Sequence, residues 1–166
     1  MAGEVTFDVV SDFDRQELVN ALDQVRREVG TRFDFKGAKV ELELAKDEIV
    51  LKTDSEMHAK SVRDLIESKA SRRGLSLKIF DWGTIEPAGG STVRQEIKLR
   101  RGLPIELAKE ISKLIRDDFP KVKPSIQGDA VRVSAKSKDD LQRVIARLRD
   151  EGEGYAVPIQ FENYRS

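Results

Sequence analysis

Seven consecutive residues, Thr31-Arg32-Phe33-Asp34-Phe35-Lys36-Gly37, hold the side-chain types that a nucleotide site requires. An arginine can pair bidentately with phosphate or with the O6/N7 edge of guanine. An aromatic ring can stack on a base, and a carboxylate can accept from guanine N1 and N2. Lys36 supplies a second cation. The same residues also fit a plainer arrangement, in which Phe33 and Phe35 anchor a loop in the core and Arg32, Asp34 and Lys36 are solvated. Residue types alone leave both open.

A second group is basic. Along 93–100, Val93, Ile97 and Leu99 alternate with Arg94, Glu96, Lys98 and Arg100. Along 131–136, Val131, Val133 and Ala135 alternate with Arg132, Ser134 and Lys136. If these are two central, adjacent strands, five cations share one open sheet face with a single glutamate. Strands lie about 4.8 Å apart, so several cations would meet one polyanion. The alternative is an ordinary solvated sheet face.

Constellations for catalysis are missing. The chain has no cysteine, so disulfides, thiolate chemistry and cysteine zinc sites are excluded, and His58 is the single histidine. His58 stands at a helix start, Ser55-Glu56-Met57-His58, where a surface role is expected. No G-x-x-x-x-G-K-[ST] loop occurs, and Gly89-Gly90 is a linker pair and not a dinucleotide fingerprint. Arg147-Leu148-Arg149-Asp150 matches an R-x-x-D pattern seen in some cyclic-dinucleotide sites, but in a charged helix end such a match is coincidental. The expectation is a protein that is not an enzyme and has no cofactor or metal.

The 166 residues carry 30 Lys/Arg and 30 Asp/Glu, so coating of nucleic acid by net charge alone is excluded. Charged residues make up 36% and hydrophobic ones 39%, which suggests small cores with much solvated surface. No apolar run approaches the ~18 residues of a membrane span, and no signal peptide is visible. No membrane association is expected, and a cytoplasmic location is.

These residues must be positioned by elements that recur. Val5, Phe7 and Val9 mark a strand; Leu18, Leu22, Val25 and Val29 mark one face of a helix. A hairpin follows through Val40–Leu44 and Glu48–Asp54, then a helix with Val62, Leu65 and Ile66 inward, then alternation at Leu75, Leu77 and Ile79. The second half repeats this order: a strand at 93–99, a helix with Ile105, Ala108, Ile111 and Ile115, a hairpin at 121–135, a helix with Leu141, Val144, Ile145 and Leu148, and a last strand at Ile159 and Phe161. The unit is βαββαβ, twice. The expected class is therefore α+β, a tandem of two ferredoxin-like domains with antiparallel sheets and helices on one face. Domain 1 is expected over 1–83 and domain 2 over 92–166. Residues 84–91, rich in glycine with Pro87, read as a linker. Terminal strands exchanged between the domains are an open alternative. Residues 1–83 carry a net charge of −3 and 84–166 carry +3. An RNA-recognition module shares this topology but places aromatics on its central strands; Glu48–Thr53 and Ala130–Lys136 hold none.

Four stretches resemble the YajQ-like nucleotide-binding protein family. They are Phe7-Asp-Val-Val-Ser11, Thr31-Arg-Phe-Asp-Phe-Lys-Gly37, the run from Ile126 to Gln142, and Phe161-Glu-Asn-Tyr-Arg-Ser166; Ile97–Gly102 and Ala108-Lys109 add to them. The similarity spans the chain in order. It implies a bacterial, cytoplasmic protein with tandem ferredoxin-like domains, nucleotide binding, a link to cyclic di-GMP sensing, proposals of tRNA or other RNA binding, and no established catalysis. Carried to matching positions, it points to Arg32, Phe33, Asp34, Phe35, Lys36, Lys98, Arg100, Arg132, Lys136, Asn163 and Arg165. The tail departs from the usual F-x-N-F-R-[DE] at Tyr164 and Ser166. Three readings follow: a regulatory guanine-nucleotide module acting on a protein partner, an RNA-binding protein using the basic sheet face, and an adaptor that binds only protein.

Overall fold

A computed structural model of the protein describes residues 3–166. Alternating apolar residues form β1 (Val5–Val10), with Val5, Phe7 and Val9 buried. Helix α1 (Arg15–Thr31) starts at Asp14, whose carboxylate accepts from the amides of Gln16 and Glu17. Leu18, Ala21, Leu22 and Val25 form its buried stripe. A 3₁₀ turn, Phe33–Phe35, leads to the hairpin β2 (Val40–Leu44) and β3 (Glu48–Thr53). Helix α2 (Glu56–Arg72) is capped by Ser55 Oγ, which accepts from the His58 amide. Strands β4 (Phe80–Ala88) and β5 (Thr92–Leu99) form a second hairpin. Helix α3 (Ile105–Asp118), strands β6 (Lys123–Gln127) and β7 (Ala130–Ala135), helix α4 (Lys138–Gly152) and strand β8 (Gln160–Arg165) complete the chain.

Two four-stranded sheets result, ordered β6-β7-β1-β8 and β2-β3-β5-β4, with every pairing antiparallel. In the first, α3 and α4 cover one face and bury Phe7, Ile111, Val133 and Ile145. In the second, α1 and α2 do the same over Leu22, Ile49, Ile66 and Ile97. Both are α+β sandwiches of the ferredoxin-like kind, as the periodicity predicts.

The division along the chain differs from the sequence expectation of 1–83 and 92–166. One compact unit comprises residues 1–12 with 101–166, and the other comprises 13–100. Strand β1 therefore completes the sheet of the later half, and β5 fills the slot between β3 and β4 that a first strand would otherwise occupy. Residues 84–91 are not a linker. They are the end of β4 and the turn into β5, where Gly90 and Ser91 adopt φ of 71° and 61° and Thr92 Oγ1 donates to Gly89 O at 2.7 Å. The left-handed conformers that a Gly-Gly-Ser run supplies serve a tight hairpin as readily as a flexible joint. At Gly83 the strand shifts register, and a Cβ there would stand 2.5 Å from Glu96 O, so glycine is required at this approach. The expected alternation at Leu77 and Ile79 is a capped 3₁₀ turn instead, with Ser76 Oγ accepting from the Lys78 amide.

The exchange also removes the charge asymmetry of the two halves. Residues 1–12 with 101–166 carry 13 Lys/Arg against 14 Asp/Glu, and 13–100 carry 17 against 16. A fragment of residues 13–100 is expected to fold cooperatively, with a dispersed amide NMR spectrum, whereas 1–83, which lacks β5, stays unfolded. A folded 1–83 beside an unfolded 13–100 would contradict this division.

Candidate functional site

The segment after α1 is a tight turn and not an extended loop. The amides of Phe35, Lys36 and Ala38 donate to the carbonyls of Arg32, Phe33 and Phe35 at 3.2, 3.0 and 2.9 Å. Gly37, at φ 79°, releases the chain toward β2. A 3₁₀ turn advances about 120° per residue, so Phe33 and Phe35 diverge. Phe35 is 2% exposed in the core, while Phe33 is 87% exposed. Only Phe33 offers its ring to solvent. Arg32 grips Asp34 bidentately, Nε to Oδ1 at 3.0 Å and Nη2 to Oδ2 at 2.8 Å. Its guanidinium also lies 5.6 Å from the centre of the Phe35 ring. The hydrogen bond from Arg32 holds the Asp34 carboxyl below its ordinary range. Glu28 is engaged by Lys69 at 2.6 Å and stands 3.9 Å from Arg32 Nη1. Lys36 is exposed.

The turn is fastened from the other side by His58. Its Nε2 lies 3.0 Å from the carbonyl of Asp34 and its Nδ1 lies 2.6 Å from Asp54 Oδ1. The imidazole packs on the Phe35 ring, centroids 5.4 Å apart. The sequence expectation of a surface role for His58 is thus corrected: a 16% exposed ring bridges two segments. The Asp54-to-His58 spacing of four residues is visible in the sequence, but the bond to Asp34 is not.

The expected five-cation face does not form. Arg94 and Lys98 lie on β5 and Arg132 on β7, which belong to different sheets. On the open face of β5, Lys98 registers between Glu48 of β3 and Asp81 of β4, and Arg94 between Lys52 and Glu86. Arg94 is also paired with Glu96. Arg100 is tied back to the carbonyls of Lys78 and Phe80 at 3.1 and 3.3 Å. These cations sit among carboxylates, which competes with phosphate for them.

The other sheet carries a more basic open face. Register aligns Lys123, Ser134, Thr6 and Arg165 in one row and Ser125, Arg132, Asp8 and Glu162 in the next. Asp8, which sequence reasoning did not single out, is 7% exposed and organises the second row. It accepts from Arg132 Nε at 3.0 Å and from Asn163 Nδ2 at 2.9 Å. Asn163 reaches it from a bulge, at φ 60°. Burial pushes the Asp8 carboxyl up, but the bonds from Arg132 and Asn163 and the charges of Arg132 and Arg165 outweigh it and hold it below its ordinary value. At the edge, Lys121, Lys123 and Lys136 line a depression of about 560 Å³ with Ser134, Glu4 and Asp140. Arg147 of the R-x-x-D match pairs with Asp118 and Glu151. Among the described residues no group of three or more His, Asp or Glu is arranged to hold a metal, and no helix is long and apolar enough to cross a membrane.

Asp8 favours the fold through its ionised form, so its contribution is full above the ordinary aspartate range and is lost as pH falls through its lowered folded value. Arg132→Ala should cost about 1–2 kcal/mol in urea denaturation at pH 7, toward the low end for a charged hydrogen bond because solvent reaches Arg132. The difference from wild type should shrink in acid as Asp8 protonates. A cost that is absent, or that does not change with pH, would contradict this.

The family model described as "Nucleotide-binding protein YajQ-like" matches residues 5–165. A protein of Thermosynechococcus vestitus named a nucleotide-binding protein is 60% identical over 165 residues, covering 99% of this chain and all of its own length. Proteins with the same name from Chloroflexus aggregans and a Roseiflexus species are 59% and 54% identical with the same coverage. The match takes in the turn with Arg32 and Phe33 as well as the Asp8 network, and the chain belongs to the YajQ-like nucleotide-binding protein family.

Proposed function

We propose that the protein binds a guanine nucleotide, cyclic di-GMP being the ligand of choice to test, at the 32–36 turn, and that it acts as a regulatory effector and not as a catalyst. The observation that carries this is the exposed ring of Phe33 beside the Arg32–Asp34 pair. The names of its relatives support a nucleotide ligand. An aromatic ring that faces solvent forfeits burial unless something covers it, and a base is a flat apolar surface of matching size. Each Asp34 oxygen already bound by Arg32 retains a second lone pair for guanine N1–H and N2–H. In this reading Lys36 and the outer donors of Arg32 meet the phosphates. Phe35 supports the turn from the core. Occupancy would reach a protein partner only where that partner prefers the ligand-bound form of the turn.

A second reading is RNA binding on the open face of β6, β7, β1 and β8. It is favoured by the row Lys123–Ser134–Thr6–Arg165 and by the lysine-lined depression at its edge. Lys98 and Arg100 take no part in it, since Lys98 lies on the other sheet and Arg100 directly follows that strand.

Isothermal titration with cyclic di-GMP, with GTP and a short RNA as comparators, separates the two. Phe33→Ala should weaken nucleotide binding by about fivefold or more, given ~1–3 kcal/mol per stacked base, and Arg32→Ala should weaken it as well. Unchanged affinity in both variants would remove this site. RNA affinity that falls steeply with salt and is lost in Lys123→Ala/Lys136→Ala, with Phe33→Ala silent, would favour the second reading.

A further inference from the structure

We infer that His58 is a positioning residue: as an imidazolium donating from both ring nitrogens, it clamps the Phe33–Phe35 turn onto the start of α2. Both nitrogens face oxygen acceptors, Asp54 Oδ1 at 2.6 Å and the Asp34 carbonyl at 3.0 Å. A neutral imidazole has one N–H and one lone pair. In either tautomer, one of these two contacts would set a lone pair against an oxygen. Only the doubly protonated ring satisfies both. Its face against Phe35 fixes the ring plane, so the acceptors cannot both be met by rotation alone.

The surrounding charges agree with a cation here. Asp54 stands just before α2, and the negative charges of Asp54 and Asp34 both favour the imidazolium. The positive end of α2 opposes the charge, and Arg32 is already taken up by Asp34. On α2 itself, Glu56 and Lys60 pair with each other at 3.4 Å. The Asp54 hydrogen bond, aided by that to Asp34, outweighs burial and raises the His58 pKa above its ordinary value of 6.5. The clamp is therefore complete below pH 6.5 and is released as pH rises through the raised folded value. On release, the neutral ring keeps its bond to Asp54, and the turn retains its backbone hydrogen bonds, the Arg32–Asp34 pair and the buried Phe35 but loses its tether to α2. The turn that carries Arg32, Phe33 and Asp34 is then held less firmly against α2. The effect on nucleotide affinity rests on the function proposed above, but the clamp itself does not.

The test uses the full chain without ligand. The lone histidine is titrated by ¹H–¹³C NMR while amide exchange, corrected for its intrinsic pH dependence, is followed at Phe35, Lys36 and Ala38. A pKa above 6.5 is expected, with exchange at these amides quickening about five- to tenfold across the titration, the size of one lost hydrogen bond. Amides of β3 and β5 should not change. Asp54→Asn should lower the His58 pKa, and His58→Gln should abolish the pH dependence at the turn. A histidine pKa at or below 6.5, or turn amides indifferent to its titration, would overturn the clamp. The wild-type titration decides this even where a variant fails to fold. A confirmed clamp in a chain that binds no nucleotide would sink the functional reading and leave the clamp standing.

Discussion

The backbone of β1 has both edges inside a sheet, and its donors and acceptors are satisfied only by residues 131–135 on one side and 160–165 on the other. Strand β5 is in the same position between β3 and β4. Unpaired buried backbone groups cost more than the chain can forgo, so one sheet closes only when β1 meets strands from the far end of the chain, and the other only when β5 turns back from β4 and inserts beside β3. That requirement, more than any local preference, decides which residues share a face. It places Arg132 against Asp8, and it places Lys98 between two carboxylates.

The consequence is a separation of chemistries. One open sheet face holds cations alternating with acids and compensates itself. The other gathers lysines and arginines around hydroxyls, with Asp8 buried at its centre as an organiser. The 32–36 turn is different again. It is held by short backbone bonds, by a bidentate ion pair and by a histidine, and it leaves one aromatic ring outside. Rigid support around an exposed stacking surface is what pre-organised recognition needs.

Much of this was legible in the residues. Alternation at Val5, Phe7 and Val9, and the helical stripes at Leu18–Val25 and Leu141–Leu148, report burial that is local and periodic. The repeated order gave the ferredoxin-like units. Strand neighbours were not legible, because alternation assigns a face but no partner; hence the misplaced pairing of the Arg94 and Arg132 strands. Gly89-Gly90-Ser91 carries the same conformational signal in a linker and in a hairpin, so the boundary fell in the wrong place. At the turn, the residue types were visible but the 3₁₀ geometry was not, and that geometry alone divides Phe33 from Phe35. His58 announced its four-residue spacing to Asp54, yet its second partner lies 24 residues away.

The central claim is that the turn around Phe33 receives the ligand. The most direct measurement is backbone chemical-shift mapping of the intact chain during titration with cyclic di-GMP at physiological salt. The account predicts saturable changes largest at residues 32–36, extending to 54–58 through His58. Changes confined to residues 6–8, 123–136 and 160–165, with the turn silent, would contradict it.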